Sequence, residues 1–145
     1  MYYLTAEACF DSAHFLSGYN GKCSNLHGHR WRITAEIYSD KLNNSTQLRG
    51  MVVDFGDLKS DLKNLADEFD HKLIIEQNSL KNTTLEALRS ENFSIIELPF
   101  RPTAEELASY FYHRLSEFSY NVSKVTVYET PNNCASYSEE EKFHA

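Results

Sequence analysis

The sequence predicts an antiparallel α+β domain in which two helices pack on one face of a sheet. Segments in which apolar and polar residues alternate, as is typical of strands, lie near both ends of the chain. Between them, two segments carry apolar residues every three or four positions, which is typical of amphipathic helices. Strands in hairpins that are separated by helices favour an antiparallel sheet with one covered face.

The N-terminal half contains the first predicted strands. Residues 2–10 form a short alternating aromatic segment, and residues 29–38 alternate cleanly, with Trp31 and the other odd-numbered residues on one face. The polar run 39–47 is typical of a loop, and residues 50–53 are expected to be the return strand of a hairpin.

Two helices are predicted from their apolar faces and their capping residues. Asp54 is the expected N-cap of the first helix, and Thr103 begins a capping box with Glu106 at the start of the second. The apolar face of the first helix consists of Phe55, Leu58, Leu62, Leu65 and Phe69. That of the second consists of Leu107, Phe111, Leu115 and Phe118.

The remaining elements are predicted to be short. Residues 85–91 favour a helix, 94–98 a strand, 124–129 an alternating strand and 134–137 a last strand. No repeat, linker or low-complexity segment divides the sequence, so residues 1–145 are expected to form a single domain.

Composition excludes several classes of function. The chain has 145 residues, with 14 Lys and Arg against 21 Asp and Glu, which gives a net charge of −7. This balance argues against binding to nucleic acid or to an anionic membrane, because both require clustered cations. The start of the chain lacks a signal-peptide pattern, and Cys9, Cys23 and Cys134 do not form a disulfide framework. A cytoplasmic protein is therefore expected.

The strongest chemical signal is a pair of histidines where the second strand begins. His27 and His29 are two residues apart, so on a strand their imidazoles point the same way and can reach one metal ion. His14, at the end of the first strand, can supply a third nitrogen. Three neutral histidines with an open fourth position form the ligand set of a catalytic zinc ion. Alternatively, His27 and His29 are two exposed strand residues.

Cys23 lies four residues before His27 and has two possible roles. Its thiolate can be the fourth zinc ligand, which would make the site a closed one. Because a thiol beside a metal ion loses its proton readily, Cys23 can instead act as a base. The spacing alone leaves both roles open.

Two further features carry carboxylates. Asp70 directly precedes His71, and a carboxylate beside an imidazole can fix its tautomer for proton transfer, although adjacent residues in a solvated turn need not interact. Glu129 shares a strand face with Val125 and Val127, where a carboxylate is costly to bury without a hydrogen-bonding partner. A flat heterocycle rich in N–H groups would be such a partner; otherwise Glu129 turns to solvent.

Taken together, these residues resemble the 6-pyruvoyl-tetrahydropterin synthase superfamily. The resemblance rests on six blocks in the family's order, at residues 10–14, 23–29, 53–59, 69–71, 102–105 and 127–133. The spacing from Cys23 to His27 is similar to that of the bacterial 6-carboxy-5,6,7,8-tetrahydropterin synthases, whereas the animal enzymes have an insertion there. Residues 77–98 are longer than in the compact members.

The resemblance implies a fold, an assembly and a set of residue roles. The fold would be the tunnelling fold, with an antiparallel four-stranded sheet and two helices on one face, and the assembly a dimer of trimers with active sites at subunit interfaces. The implied roles are zinc ligation by His14, His27 and His29, proton abstraction by Cys23, proton relay by Asp70 and His71, and anchoring of the pterin ring by Glu129.

The resemblance also implies a reaction. It would convert 7,8-dihydroneopterin triphosphate into 6-carboxytetrahydropterin, acetaldehyde and triphosphate, in the biosynthesis of queuosine and related 7-deazaguanines. The pyruvoyl branch, which eliminates triphosphate and keeps all side-chain carbons, is the nearest alternative, and a non-catalytic zinc- or pterin-binding module is another. A cupin is disfavoured because the next glutamate after the histidine pair is Glu36 and His113 lies on a predicted helix.

Overall fold

A computed structural model of the chain describes residues 1–139. It contains one sheet of six strands in the order β4-β3-β1-β2-β5-β6 and three α-helices. The strands are β1 (Tyr2–His14), β2 (His27–Ser39), β3 (Leu73–Glu76), β4 (Ile95–Leu98), β5 (Val122–Thr130) and β6 (Asn133–Tyr137). The helices are α1 (Phe55–Asp67), α2 (Asn82–Ser90) and α3 (Ala104–Ser116).

A long antiparallel hairpin of β1 and β2 forms the centre of the sheet. Its register runs from Tyr2 opposite Ser39 to His14 opposite His27. The alternation seen in the sequence places Trp31, Ile33, Ala35 and Ile37 of β2 in the core. The strands β5 and β6 continue the sheet antiparallel on the β2 side, in agreement with the predicted C-terminal strands.

The expectation of a four-stranded, wholly antiparallel sheet is wrong. On its other side β1 pairs with β3 in parallel, and β3 pairs with β4 in parallel, so the sheet is mixed and has six strands. The strand in 94–98 was predicted, but β3 was not. Its four residues are all apolar apart from the terminal glutamate, and so short an apolar run has no periodicity that distinguishes a strand from a helix.

The predicted return strand at residues 50–53 is also wrong, because this segment forms a loop. Asn43 closes the loop: its backbone N–H donates to Met51 O at 2.9 Å, and its side-chain amide donates to Met51 O and Val52 O. Gly50 has a φ of 81°, in the left-handed region, which an extended strand does not use.

The helices α1 and α3 pack on one face of the sheet, as predicted. The Asp54 carboxylate caps α1 by accepting from Gly56 N at 2.7 Å, and Thr103 Oγ1 caps α3 by accepting from Glu106 N at 3.2 Å. Both apolar faces are buried except for one residue each: Phe55 and Phe118, at the ends of the two faces, are exposed. The helix α2 begins three residues earlier than the predicted Leu85 and buries none of its residues fully.

The core lies between these two helices and the sheet, with Trp31, Phe10 and Phe69 among its largest buried side chains. Phe10 and Trp31 face each other across the β1–β2 hairpin, with ring centroids 5.8 Å apart and nearly parallel planes. Among the described residues, none of the helices combines the length and the hydrophobicity that a membrane-spanning helix requires.

Candidate metal centre and its surroundings

The three histidines singled out in the sequence meet at one end of the β1–β2 hairpin. His14 ends β1 directly opposite His27, the first residue of β2, and His29 follows two residues later on the same face. Their ring centroids lie 4.5 to 5.1 Å apart, and one ring nitrogen from each can be chosen so that all three lie within 4.8 Å of one another. Coordination with Zn–N bonds of about 2.0–2.1 Å would draw them closer together.

Hydrogen bonds to backbone carbonyls orient two of these rings. His14 Nδ1 lies 2.8 Å from Pro102 O, and His27 Nδ1 lies 2.7 Å from Asn25 O. Because a carbonyl oxygen only accepts, each Nδ1 carries the proton and each Nε2 is left with a free lone pair. Within the part of the chain that the structure describes, the buried Nε2 atoms of His14 and His29 have no hydrogen-bond partner.

Burial favours the neutral form of two of the imidazoles, His14 and His29. It lowers the pKa of His14 to about 4, although the hydrogen bond to Pro102 acts in the opposite direction. Burial also lowers the pKa of His29, against the attraction of the Glu129 carboxylate. Neutral imidazole is the form that ligates a metal, and buried nitrogens without a partner are costly unless something binds them. The donor set therefore fits a metal ion such as zinc.

The indole of Trp31 lies directly beneath the histidines. Its centroid is 4.8 Å from that of His14 and 5.2 Å from that of His29, both edge-on, and its Nε1 donates to Ser12 O at 3.2 Å. Trp31 is fully buried, so it closes the inner side of the cluster to water. The alternation along β2 predicts that Trp31 lies on this face but does not indicate that it takes part in the site.

Glu129, on β5, lies beside the cluster. Its Oε1 is 3.9 Å from His14 Nε2, and its other carboxylate oxygen accepts a long hydrogen bond of 3.5 Å from Asn133 Nδ2. The side chain is 24% exposed. A mostly buried carboxylate that retains free acceptor capacity next to a metal-binding cluster is suited to a ligand with N–H donors.

Cys23 lies in the loop that joins β1 to β2. It is the middle residue of a single 3₁₀ turn, Lys22–Ser24, and it is half-buried whereas the residues on either side of it are exposed. Among the described residues, the clustered ligand atoms come from the three histidines and include no thiol.

Asp70 and His71 form a hydrogen-bonded pair at the turn after α1. Asp70 Oδ1 accepts from Asp11 N at 2.8 Å, and its Oδ2 lies 2.9 Å from His71 Nδ1. These two bonds, the first above all, lower the pKa of Asp70 below its ordinary value. His71 has a φ of 59° and donates its own backbone N–H to Asp11 O at 2.7 Å. Its imidazole is 79% exposed, oriented by the carboxylate and free to meet a partner.

A cavity of about 490 Å³ connects two parts of the candidate site. Its lining includes His29 from the cluster and His71 from the pair, together with Leu88 and Phe93 around the end of α2. This volume lies within the range of small-molecule sites, roughly 300–1,000 Å³. The structure thus brings His71 and His29 to one cavity of a single chain.

Three arginines, each a possible partner for an anionic group of a ligand, differ in the groups that they contact. Arg30 pairs with Asp11 at 3.0 Å and Arg32 pairs with Glu7 at 3.0 Å, so each already faces a carboxylate. Arg101 instead donates to a backbone carbonyl, Ser17 O, at 2.7 Å.

Comparison with known sequences gives one consistent result. A family model described as 6-pyruvoyl tetrahydropterin synthase matches residues 3–140. The chain is 39% identical over 145 residues to a 6-carboxy-5,6,7,8-tetrahydropterin synthase of Haemophilus influenzae, covering 96% of this chain and 100% of that protein. It is 36% identical over 129 residues to the enzyme of the same name from Aquifex aeolicus, covering 82% of this chain and 77% of that one.

Solved structures share the fold at lower identity. An uncharacterized protein of Wolinella succinogenes superposes with a TM-score of 0.76 at 22% identity, covering 96% of this chain and 98% of its own. A 6-pyruvoyltetrahydropterin synthase of Plasmodium vivax superposes with a TM-score of 0.70 at 20% identity, covering 95% and 97%. At such identities the likeness concerns the fold alone.

Proposed function

The chain belongs to the 6-pyruvoyl tetrahydropterin synthase family, as a pterin synthase of the lyase type, and from this we propose its particular reaction. In this proposal it is a zinc-dependent 6-carboxy-5,6,7,8-tetrahydropterin synthase. With one water, it converts 7,8-dihydroneopterin triphosphate into 6-carboxytetrahydropterin, acetaldehyde and triphosphate, in the biosynthesis of queuosine and related 7-deazaguanines. Sequence relatives of that name at 33–39% identity support this branch over the pyruvoyl one.

The observation that carries the proposal is the cluster of three imidazoles. His14, His27 and His29 present ring nitrogens within 4.8 Å of one another, two of them buried with no partner in the described structure. In the proposal these three residues hold the zinc ion. When bound there, zinc supplies Lewis-acid polarisation of oxygens on the substrate side chain.

Cys23 is the proposed proton acceptor. It is half-buried in a loop next to the histidines, and among the described residues its thiol is outside the group of clustered ligand atoms. The position of the thiol outside this group supports the role of a base over that of a fourth ligand. As a thiolate, Cys23 takes a proton from the polarised side chain of the substrate.

Asp70 and His71 are the proposed proton relay. Asp70 accepts from His71 Nδ1–H, which fixes the imidazole tautomer with its exposed Nε2 directed away from the pair. Nε2 can then receive a proton from the substrate or deliver one to it at the cavity that His71 lines.

Glu129 is the proposed anchor of the pterin ring. Its carboxylate has acceptor capacity left over beside the histidines, and a pterin presents adjacent ring and exocyclic N–H groups. A carboxylate can accept both in a two-pronged pair, which fixes the ring's position and excludes heterocycles without those donors.

We also propose that the chain works as a dimer of trimers in the cytoplasm. The face of the sheet opposite α1 and α3 carries exposed side chains, including Glu7, Cys9 and Arg30, and β4 and β6 are unpaired edges within the described sheet. Joining such edges between copies would cover them. Three free cysteines agree with a reducing compartment.

The direct test is incubation of the zinc-loaded protein with 7,8-dihydroneopterin triphosphate and identification of the pterin by mass spectrometry. We expect 6-carboxytetrahydropterin. A product that keeps all three side-chain carbons would instead show the pyruvoyl reaction, and unchanged substrate would support a non-catalytic binding module.

A further inference from the structure

The dipeptide Arg101-Pro102, which directly precedes the cap of α3, contacts both halves of the proposed site. The Pro102 carbonyl oxygen accepts a hydrogen bond from His14 Nδ1, and the Arg101 guanidinium donates to Ser17 O in the loop that contains Cys23. We propose that Arg101 is a positioning residue that sets the place and accessibility of the Cys23 thiol. This inference rests on the proposed function only in giving Cys23 its role as a base.

Most residues of the loop 15–26 are exposed, and the hydrogen bonds around Cys23 are local to the loop. Ser24 N donates to Gly21 O and Asn25 N donates to Lys22 O, both at 3.1 Å. Leu16 N donates to Cys23 O at 2.9 Å, which draws the two arms of the loop together, and Tyr19 N donates to Leu16 O at 3.3 Å. On its other side the loop is fixed where His27 Nδ1 lies 2.7 Å from Asn25 O. The placement of Cys23 therefore depends on that contact and on where Leu16 and its neighbours are held.

Arg101 holds the loop at that point. Its Nη2 donates to Ser17 O at 2.7 Å, between Leu16 and the turn at Gly18. Gly18 has a φ of 79°, and a Cβ built there would lie 3.5 Å from the same Nη2, so the guanidinium lies directly against the turn. A hydrogen bond from a charged donor is stronger than one from a neutral group, which suits the attachment of an exposed loop to the start of α3.

The two functions of the dipeptide are separable. The backbone of Pro102 orients His14, whereas the side chain of Arg101 reaches the loop. Arg101 O also accepts from Thr103 N at 2.8 Å, so the path of the backbone into α3 does not depend on the guanidinium. Substitution of the Arg101 side chain should therefore release the thiol loop while leaving the metal ligands in place.

The test compares three variants of the full chain: Arg101→Met, Arg101→Lys and the control Arg49→Met. Arg49 is an exposed arginine in the loop between β2 and α1, so the control removes the same charge away from the site. Each protein is treated with iodoacetamide, and the alkylation rate of every cysteine is followed by peptide mass spectrometry. Cys9 and Cys134 are internal references, and bound zinc is measured in the same samples.

For Arg101→Met we expect Cys23 to be alkylated several-fold faster than in the wild type, with unchanged rates at Cys9 and Cys134 and unchanged zinc. Displacement of a reacting group by about 1 Å can cost on the order of a hundredfold in rate, so kcat should fall at least about tenfold while KM changes little. Arg101→Lys keeps a cationic donor, so its Cys23 alkylation rate and its kcat should lie between those of the wild type and those of Arg101→Met. Arg49→Met should match the wild type in both quantities.

An unchanged Cys23 alkylation rate in Arg101→Met would overturn the inference. Loss of zinc, or an equal increase in the alkylation rates of all three cysteines, would also overturn it. Either result would show that the substitution perturbs the whole structure and not the Cys23 loop alone. The alkylation and zinc readouts do not use the pterin. If the wild type does not turn over 7,8-dihydroneopterin triphosphate, the proposed function fails, but the positioning role of Arg101 is still decided.

Discussion

At the scale of single residues, the placement of protons on the histidines determines what the site can do. Backbone carbonyls fix the Nδ1 protons of His14 and His27, and burial keeps His14 neutral, so lone pairs rather than N–H groups face the centre of the cluster. The sequence predicted the three candidate ligands from their types and spacing. It could not predict the carbonyls that orient them, because any residue supplies a carbonyl and only the fold places it.

The first prediction concerns metal content. His27→Ala removes one of three nitrogens, so the purified variant should hold little zinc when the wild type holds about one ion per chain. Elemental analysis after dialysis measures this directly. The matched control is His113→Ala on α3, where the imidazole bonds Ser109 O away from the cluster. Full zinc content in His27→Ala would show that His27 is not a ligand.

Cys23→Ala separates a base from a ligand. If the thiol is the base, the variant should keep its zinc and lose turnover by roughly two to four orders of magnitude, which is the usual contribution of a positioned general base. Steady-state kinetics and elemental analysis on one preparation give both quantities. Zinc that leaves together with the thiol would identify Cys23 as a ligand and remove the proposed first step.

Because the His14 imidazole is buried, we predict that the free energy of unfolding of the metal-free protein depends on pH. Its folded-state pKa of about 4 lies below the ordinary 6.5, so the unfolded chain takes up a proton first as the pH falls. The free energy of unfolding should therefore decrease between about pH 6.5 and pH 4, by up to roughly 3 kcal/mol from this group. Urea denaturation of chelator-treated protein across this range measures the slope. The slope of the unfolding free energy against pH should decrease in His14→Gln and should be unchanged in His113→Gln.

At the scale of elements, long periodic segments were predictable and short ones were not. The strands β1, β2 and β5 show alternation over many residues, and α1 and α3 show both an apolar face and a capping residue. By contrast, β3 has four residues and owes its place to pairing with β1 and β4, which are distant in sequence. At residues 50–53 the apolar run suggested a strand, but hydrogen bonds from Asn43 make a loop there.

The cap of α3 gives a prediction about an element. Thr103 Oγ1 satisfies Glu106 N at the start of the helix, so Thr103→Ala should lower the free energy of unfolding by about 1 kcal/mol. A lower midpoint of urea denaturation, with an unchanged dependence of the unfolding free energy on urea concentration, would show this loss of stability. Thr83→Ala in the exposed first turn of α2 is the control, since no side chain caps that helix, and it should have little effect.

At the scale of the whole molecule, the fold brings together residues that the sequence keeps far apart. His14, His27 and His29 come from one hairpin, whereas Glu129 comes from β5 and the Pro102 carbonyl from the start of α3. The sequence predicted most of these residues one by one. Their common location depends on strand order and register, and on the packing of α3, which a single sequence does not determine.

The most direct measurement of the central claim is the simultaneous quantification of acetaldehyde and triphosphate released from 7,8-dihydroneopterin triphosphate by the zinc-loaded protein. The proposed reaction cleaves a carbon–carbon bond each time it releases triphosphate. We therefore predict equal amounts of the two products, both abolished in Cys23→Ala. Triphosphate without acetaldehyde would contradict the claim and place the chain in the pyruvoyl branch.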